Sequence, residues 1–141
     1  MSLARVHSMG LKGVEGYSVI VELDLANGLP SFSTVGMPDD GVREARERVV
    51  AAIRNSGFTV PNRRITVNLA PARPRKQGSH YDLPIALSLL LASSQVAEGG
   101  GRRWCAVGEL SLDGRVRPVP GVLSMAARAK AEGFTSIIVP E

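Results

Sequence analysis

Between Glu47 and Asp82 the sequence holds no acidic residue, yet Arg48, Arg54, Arg63, Arg64, Arg73, Arg75 and Lys76 all fall there. Cations grouped in this way can meet phosphates or an acidic partner. The alternative is a solvated segment whose charges find carboxylates elsewhere in the fold. The formal net charge of the 141 residues is only +4, so the excess is concentrated in one stretch. Aromatic residues make up 4% of the chain, which excludes a platform that stacks single-stranded bases. Contacts made by this stretch are therefore expected to reach backbone phosphates without reading sequence.

Other chemistries find less support. No G-x-x-x-x-G-K-[ST] occurs. Gly36 to Arg43 has the glycine spacing but places Val42 and Arg43 where a lysine and a hydroxyl must hold phosphate and Mg²⁺. Asp39 and Asp40 would also repel a triphosphate. His7, His80 and Cys105 are scattered, with no ligand spacing, so no metal site is expected. Ser79 and His80 are adjacent in sequence, but neighbouring side chains rarely face one another as a nucleophile and its base must.

The composition is that of a globular domain, 44% hydrophobic and 21% charged, and residues 1–141 are expected to form a single domain. The single Cys105 excludes a disulfide scaffold. The longest apolar run, Leu83 to Ala92, falls short of the roughly 20 residues of a membrane span. No signal-like segment opens the chain, so a cytoplasmic location without membrane association is expected.

Periodicity supplies the elements. Val19, Val21, Leu23 and Leu25 alternate with Ile20, Glu22 and Asp24, so Ala4 to Leu25 reads as two strands. Asn27-Gly28 signals a hairpin returning through Ser31 to Val35, which makes the opening a β-meander. Asp39 or Asp40 caps a helix whose stripe is Val42, Ala45, Val49, Ala52 and Ile53, ending at Gly57 in the left-handed position. Arg64 to Leu69 is a strand. Ala70 to His80 contains two prolines and a glycine and is a long, stiff, basic loop. A buried helix follows, with Pro84 at its first position and Asp82 or Leu83 just outside. Gly99 to Arg103 is a flexible connector. Two short strands, Trp104 to Val107 and Glu109 to Leu112, turn at Asp113-Gly114 and return along Arg115 to Val119. A helix from Gly121 to Glu132 and a strand, Ile137 to Val139, finish the chain. The order β-β-β-α-β-α-β-β-β-α-β predicts an α+β fold, a mixed sheet with packed helices, and not a doubly wound nucleotide fold.

At this point the residues carry a resemblance. The stretches Ser31 to Pro38, Val42 to Val49, Arg64 to Ala72, Lys76-Gln77-Gly78 through Ala86, and Gly108 to Val116 resemble the N-terminal domain of magnesium-chelatase-like AAA+ ATPases of the ComM/YifB family. The resemblance covers essentially the whole chain in order. It implies a Lon-protease-like fold, within the superfamily of domain two of a ribosomal small-subunit protein. It also implies a piece cut ahead of an AAA+ ATPase module, so ATP and Mg²⁺ belong to that module and no cofactor to this chain. Members of this family are associated with DNA handling: ComM resembles a hexameric branch-migration helicase of natural transformation. The implied partners are DNA and other subunits of a homo-oligomeric ring.

Lon places a catalytic serine at one helix start and a lysine at another. The match puts Asp82 at the serine position, and Leu123, or its neighbours Val122 and Ser124, at the lysine position. No lysine lies between Lys76 and Lys130. A peptidase dyad therefore has no amine to take the proton. Asp82 is either a helix cap, the simpler reading, or a contact to the basic loop or a partner subunit.

These observations predict a non-catalytic domain that supports DNA engagement or ring assembly, with Arg63, Arg64, Arg73, Arg75, Lys76 and His80 as DNA- or partner-binding residues. Arg63 and Arg64 either extend the loop's patch or lie at the opposite end of their strand. The alternatives are a purely structural oligomerisation module and an active Lon-like peptidase. The 141-residue chain is expected neither to bind nor to hydrolyse ATP. Isothermal calorimetry checks this, and stoichiometric binding at micromolar ATP would contradict it.

Overall fold

A computed structural model describes residues 2–99 and 102–141. Strands β1 (Ser2–Lys12) and β2 (Glu15–Ala26) form a long antiparallel hairpin. After β3 (Ser31–Val35), the short helix α1 (Asp40–Arg43) runs into α2 (Ala45–Asn55). Strand β4 (Arg64–Ala70), helix α3 (Asp82–Ala92) and strand β5 (Trp104–Ala106) follow. A small hairpin, β6 (Glu109–Leu110) with β7 (Val116–Arg117), precedes helix α4 (Val122–Ala131) and strand β8 (Ser136–Ile138). The element order is the expected one except that the first expected helix is divided at Glu44 into α1 and α2, and the mixed sheet with packed helices is the expected fold. Within the connector Gly99 to Arg103, Gly100 and Gly101 lie outside the described residues.

Six strands form one sheet in the order β3-β4-β2-β1-β5-β8. This corrects the meander. β3 does not return along β2; β4 lies between them, antiparallel to β2 and parallel to β3, with Leu69 opposite Val21 and Ile65 opposite Phe32. The burial pattern explains the choice. Ile65, Val67 and Leu69 are fully buried and suit a central position, whereas Ser31, Ser33 and Val35 of β3 are exposed and suit an edge.

Side-chain alternation divides the sheet into two faces. Val19, Val21, Leu23, Ile65, Val67 and Leu69 face α2 and α3, with Val49, Ile53, Ile85 and Leu89 packed against them in the larger core. Each such side chain, fully buried, contributes about 1.5–3 kcal/mol. Met9, Cys105 and Val107 face the other way and meet Met125 and Ala129 of α4 in a smaller core. Much of the rest of that second face is polar, with Arg5 and Asn68 both donating to Glu22.

The connections β3-α1-α2-β4 and β5 to β8 through α4 run the same way across the sheet, between strands pointing the same way. Their helices nevertheless lie on opposite faces. The two crossovers therefore have opposite hands, and one departs from the usual right-handed rule.

Asp39 caps α1 as expected, its Oδ1 accepting from the Val42 N–H at 2.7 Å. Gly57 takes φ +86° behind α2. Helix α3 begins two residues earlier than expected, so Pro84 stands third. Its missing N–H still falls in the first turn, where no intrahelical partner exists. That helix is apolar around nearly its whole circumference. Its buried Ser88 hydroxyl is satisfied by the Pro84 carbonyl at 2.7 Å.

Candidate functional site

Asp82 is the first residue of α3 and is completely buried. It does not cap the helix: the capping position is Tyr81, and no side chain there accepts a helix N–H. Instead its carboxylate takes Nε of Arg48 at 2.6 Å and Nη2 at 3.1 Å, and also accepts the Leu110 N–H at 3.0 Å. Arg48 donates further to the Gly41 carbonyl at 3.1 Å. The cap reading fails because a carboxylate inside an apolar helix needs a full counter-charge, which an arginine fork supplies. Burial pushes the Asp82 carboxyl up from its ordinary value, against the Arg48 and Leu110 hydrogen bonds that pull it down. The hydrogen bond to Asp82 raises Arg48.

Lys76 departs furthest from expectation. Its side chain is buried, and Nζ donates to the carbonyl oxygens of Gly36 and Pro74 at 2.8 Å each and to that of Pro71. Three carbonyls match the three protons of an ammonium group. The lysine backbone also bridges to Met37 and Asp39, both at 2.8 Å. The loop thus wraps around its own cation, and Lys76 presents no charge to a polyanion. Gly36 permits this approach: at φ +103° a Cβ would lie 2.2 Å from the Leu69 carbonyl oxygen.

His80 is likewise turned inward, 8% exposed, its ring 4.1 Å from that of Tyr81. Burial pulls its pKa to about 4, so it is neutral at physiological pH and supplies no cation to a partner. The Nε2 of His80 and the hydroxyl of Tyr81 are buried without hydrogen-bond partners among the described residues. Of the loop's cations only Arg73 and Arg75 are exposed. Arg64 is exposed and Arg63 half-buried, with Nη1 on the Ser2 hydroxyl at 3.2 Å. These two enter β4 at Arg64 while the loop leaves it at Ala70, so about 20 Å of strand separates them. The expected patch is therefore two patches.

No hydrogen bond joins Ser79 to His80 among the described residues. Cys105 is buried, its thiol pushed up to about 11 by burial, and His7 packs edge-on against Phe134 at 5.1 Å. Among the described residues no three His, Cys, Asp or Glu side chains are grouped to hold a metal ion. At the start of α4, Leu123 is 86% exposed. No helix of the described residues is long and apolar enough to cross a membrane.

Arg48 is the partner that sequence reasoning missed. It stands 34 residues from Asp82, and nothing local pairs the two. The one available signal was the apolar helix itself, in which a lone carboxylate has to find a cation.

A mixed-sheet α+β domain with this element order is compatible with the weak similarity to a Lon protease of Salinispora arenicola, 25% identical over 94% of this chain and 18% of that protein. The family described as subunit ChlI of Mg-chelatase matches residues 21–141, and the chain belongs to that family. Within it, the chain is similar to the competence protein ComM of Haemophilus influenzae, 46% identical over 141 residues. It is also similar to the uncharacterized protein YifB of Escherichia coli, at 44% identity over the same length. Each match takes in the whole of this chain and 28% of the relative's length.

Replacing Asp82 with alanine is expected to cost about 3 kcal/mol in urea unfolding, because Arg48 loses its counter-ion inside the domain. Arg48→Met combined with Asp82→Leu should recover most of that loss; an unchanged midpoint for Asp82→Ala would refute the pair's importance. His80 yields a pH prediction. Its folded pKa lies below the unfolded value of 6.5, so the unfolded chain binds the proton more readily as pH falls from about 6.5 toward 4. Stability should drop across that window by at most about 3 kcal/mol. Unfolding free energies measured at stepped pH should show this slope flattened in His80→Gln.

Proposed function

We propose that this chain is a non-catalytic domain of a magnesium-chelatase-like AAA+ ATPase, and that it helps the parent protein engage DNA. ATP and Mg²⁺ belong, on this reading, to a separate ATPase module, in a homo-oligomeric ring. The observation that carries the non-catalytic part is the state of Asp82. The position where Lon has its serine is filled by a buried carboxylate locked to Arg48. The helix start where Lon has its lysine reads Gly121-Val122-Leu123-Ser124. A nucleophile and a base are both wanting, which argues against the peptidase reading.

The DNA reading is supported by the loop. Lys76 draws the chain around itself, and Arg73 and Arg75 are left outward on a proline-stiffened backbone. Little ordering entropy is lost when such side chains meet phosphates. One loop without aromatic residues cannot read bases, so binding is weak, independent of sequence and strengthened by many copies in a ring.

The test is Arg73→Glu with Arg75→Glu, titrated against duplex DNA over a salt series in this chain and in the parent protein. Each lost phosphate contact should reduce the log–log salt slope by about 0.7–0.9. If affinity and slope stay as in the unaltered protein, the loop is no DNA contact and ring assembly becomes the better account.

A further inference from the structure

We propose that the groove between α2 and the strands β3 and β4, continued along the outer edge of β3, binds an extended acidic peptide segment. The groove encloses about 590 Å³. Its floor includes Phe32, Val50 and Ile65, and its rim carries Arg46, Arg54 and Arg63 against one carboxylate, Glu47. Arg46 and Arg54 are eight residues apart on α2, hence about 12 Å along the helix, with Val50 midway between them. In an extended chain, residues four apart point the same way and lie about 13 Å apart. The two spacings agree. Arg63 joins them at the start of the strand, where its carbonyl accepts the Ser31 N–H at 3.3 Å.

The neighbouring backbone offers the second half of the site. Among the described residues β3 is paired only with β4 and forms the edge of the sheet. The outer side of an edge strand carries unpaired N–H and C=O groups, which another strand can join. A strand added there places alternate side chains toward α2, within reach of its arginines. The same geometry disfavours DNA. Phe32, Val50, Val60 and Ile65 give the groove an apolar floor, and its aromatic ring, Phe32, is less than half exposed. The proposal does not depend on the DNA reading, because Arg73 and Arg75 lie at the other end of β4.

The probe is fluorescein-labelled acetyl-Glu-Val-Glu-Val-Glu-Val-amide, followed by anisotropy with the 141-residue chain. The comparison ligands are the peptide with lysine for glutamate and an oligothymidylate. Saturable binding of the acidic peptide alone is expected. Arg46→Glu, Arg54→Glu and Arg63→Glu together should weaken it about tenfold or more, while Arg73→Glu with Arg75→Glu leaves it unchanged. Thermal melting checks that the triple variant folds; if it does not, Arg54→Gln with Arg63→Gln should still weaken binding. Methylating alternate peptide nitrogens should weaken it too, since the edge pairing is lost. Absence of binding, or binding indifferent to the groove arginines or to N-methylation, overturns the proposal. Tighter binding of the oligothymidylate through these same arginines overturns it in favour of phosphate.

Discussion

One ion pair, between the buried Asp82 and the partly buried Arg48, sets the arrangement on which the rest depends. Asp82 and Arg48 join the start of α3 to the middle of α2, and through Gly41 and Leu110 they also hold α1 and β6. A helix as apolar as α3 gains almost as much from burial in one rotation as in another, because hydrophobic burial is non-directional. A two-pronged hydrogen bond is directional. It selects the rotation that sets the Asp82 carboxylate against Arg48, and so determines which residues of the preceding loop turn inward. The loop, the small hairpin and both helices over the larger face are all referred to this contact.

Lys76 applies the same principle to irregular chain. A loop of eleven residues has few side chains with which to make a core of its own, and its carbonyls need donors. Lys76 supplies three at once, gathering Gly36, Pro71 and Pro74 around one ammonium group. The bare sum of charges is therefore a poor guide to the surface. Two of the seven cations between Glu47 and Asp82 are spent inside, one on a carboxylate and one on carbonyls. Of the other five, Arg54 stands on α2, and the remaining four divide between the two ends of β4.

What the sequence disclosed follows from the range of the forces involved. Local patterns carried the element order, the Asp39 cap and the turn at Gly57, since each depends on residues within a few positions of one another. Pairing did not yield to the same reading. Asn27-Gly28 is a sound hairpin signal, but it says nothing of a later strand that competes better for the place beside β2. Ile65, Val67 and Leu69 won that competition through burial alone. The candidate residues fared likewise. Arg73 and Arg75 are exposed while Lys76 and His80 turn inward, a division that a loop without periodicity does not disclose. The family was legible throughout, since it rests on stretches of sequence and not on where they fold.

The insertion of β4 between β2 and β3 also orders events in time. β1 and β2 can close as soon as both exist, but β3 pairs with a strand more than thirty residues later, once β4 has docked on β2. At ribosomal speeds of about 5–20 residues per second, β3 waits some seconds in water with both edges bare. Its sequence is suited to that interval. Ser31, Ser33 and Thr34 outnumber the two apolar residues, Phe32 and Val35, so the segment is a poor template for another nascent chain. A β3 rich in valine and isoleucine would endanger synthesis and would also leave an apolar edge on the finished sheet.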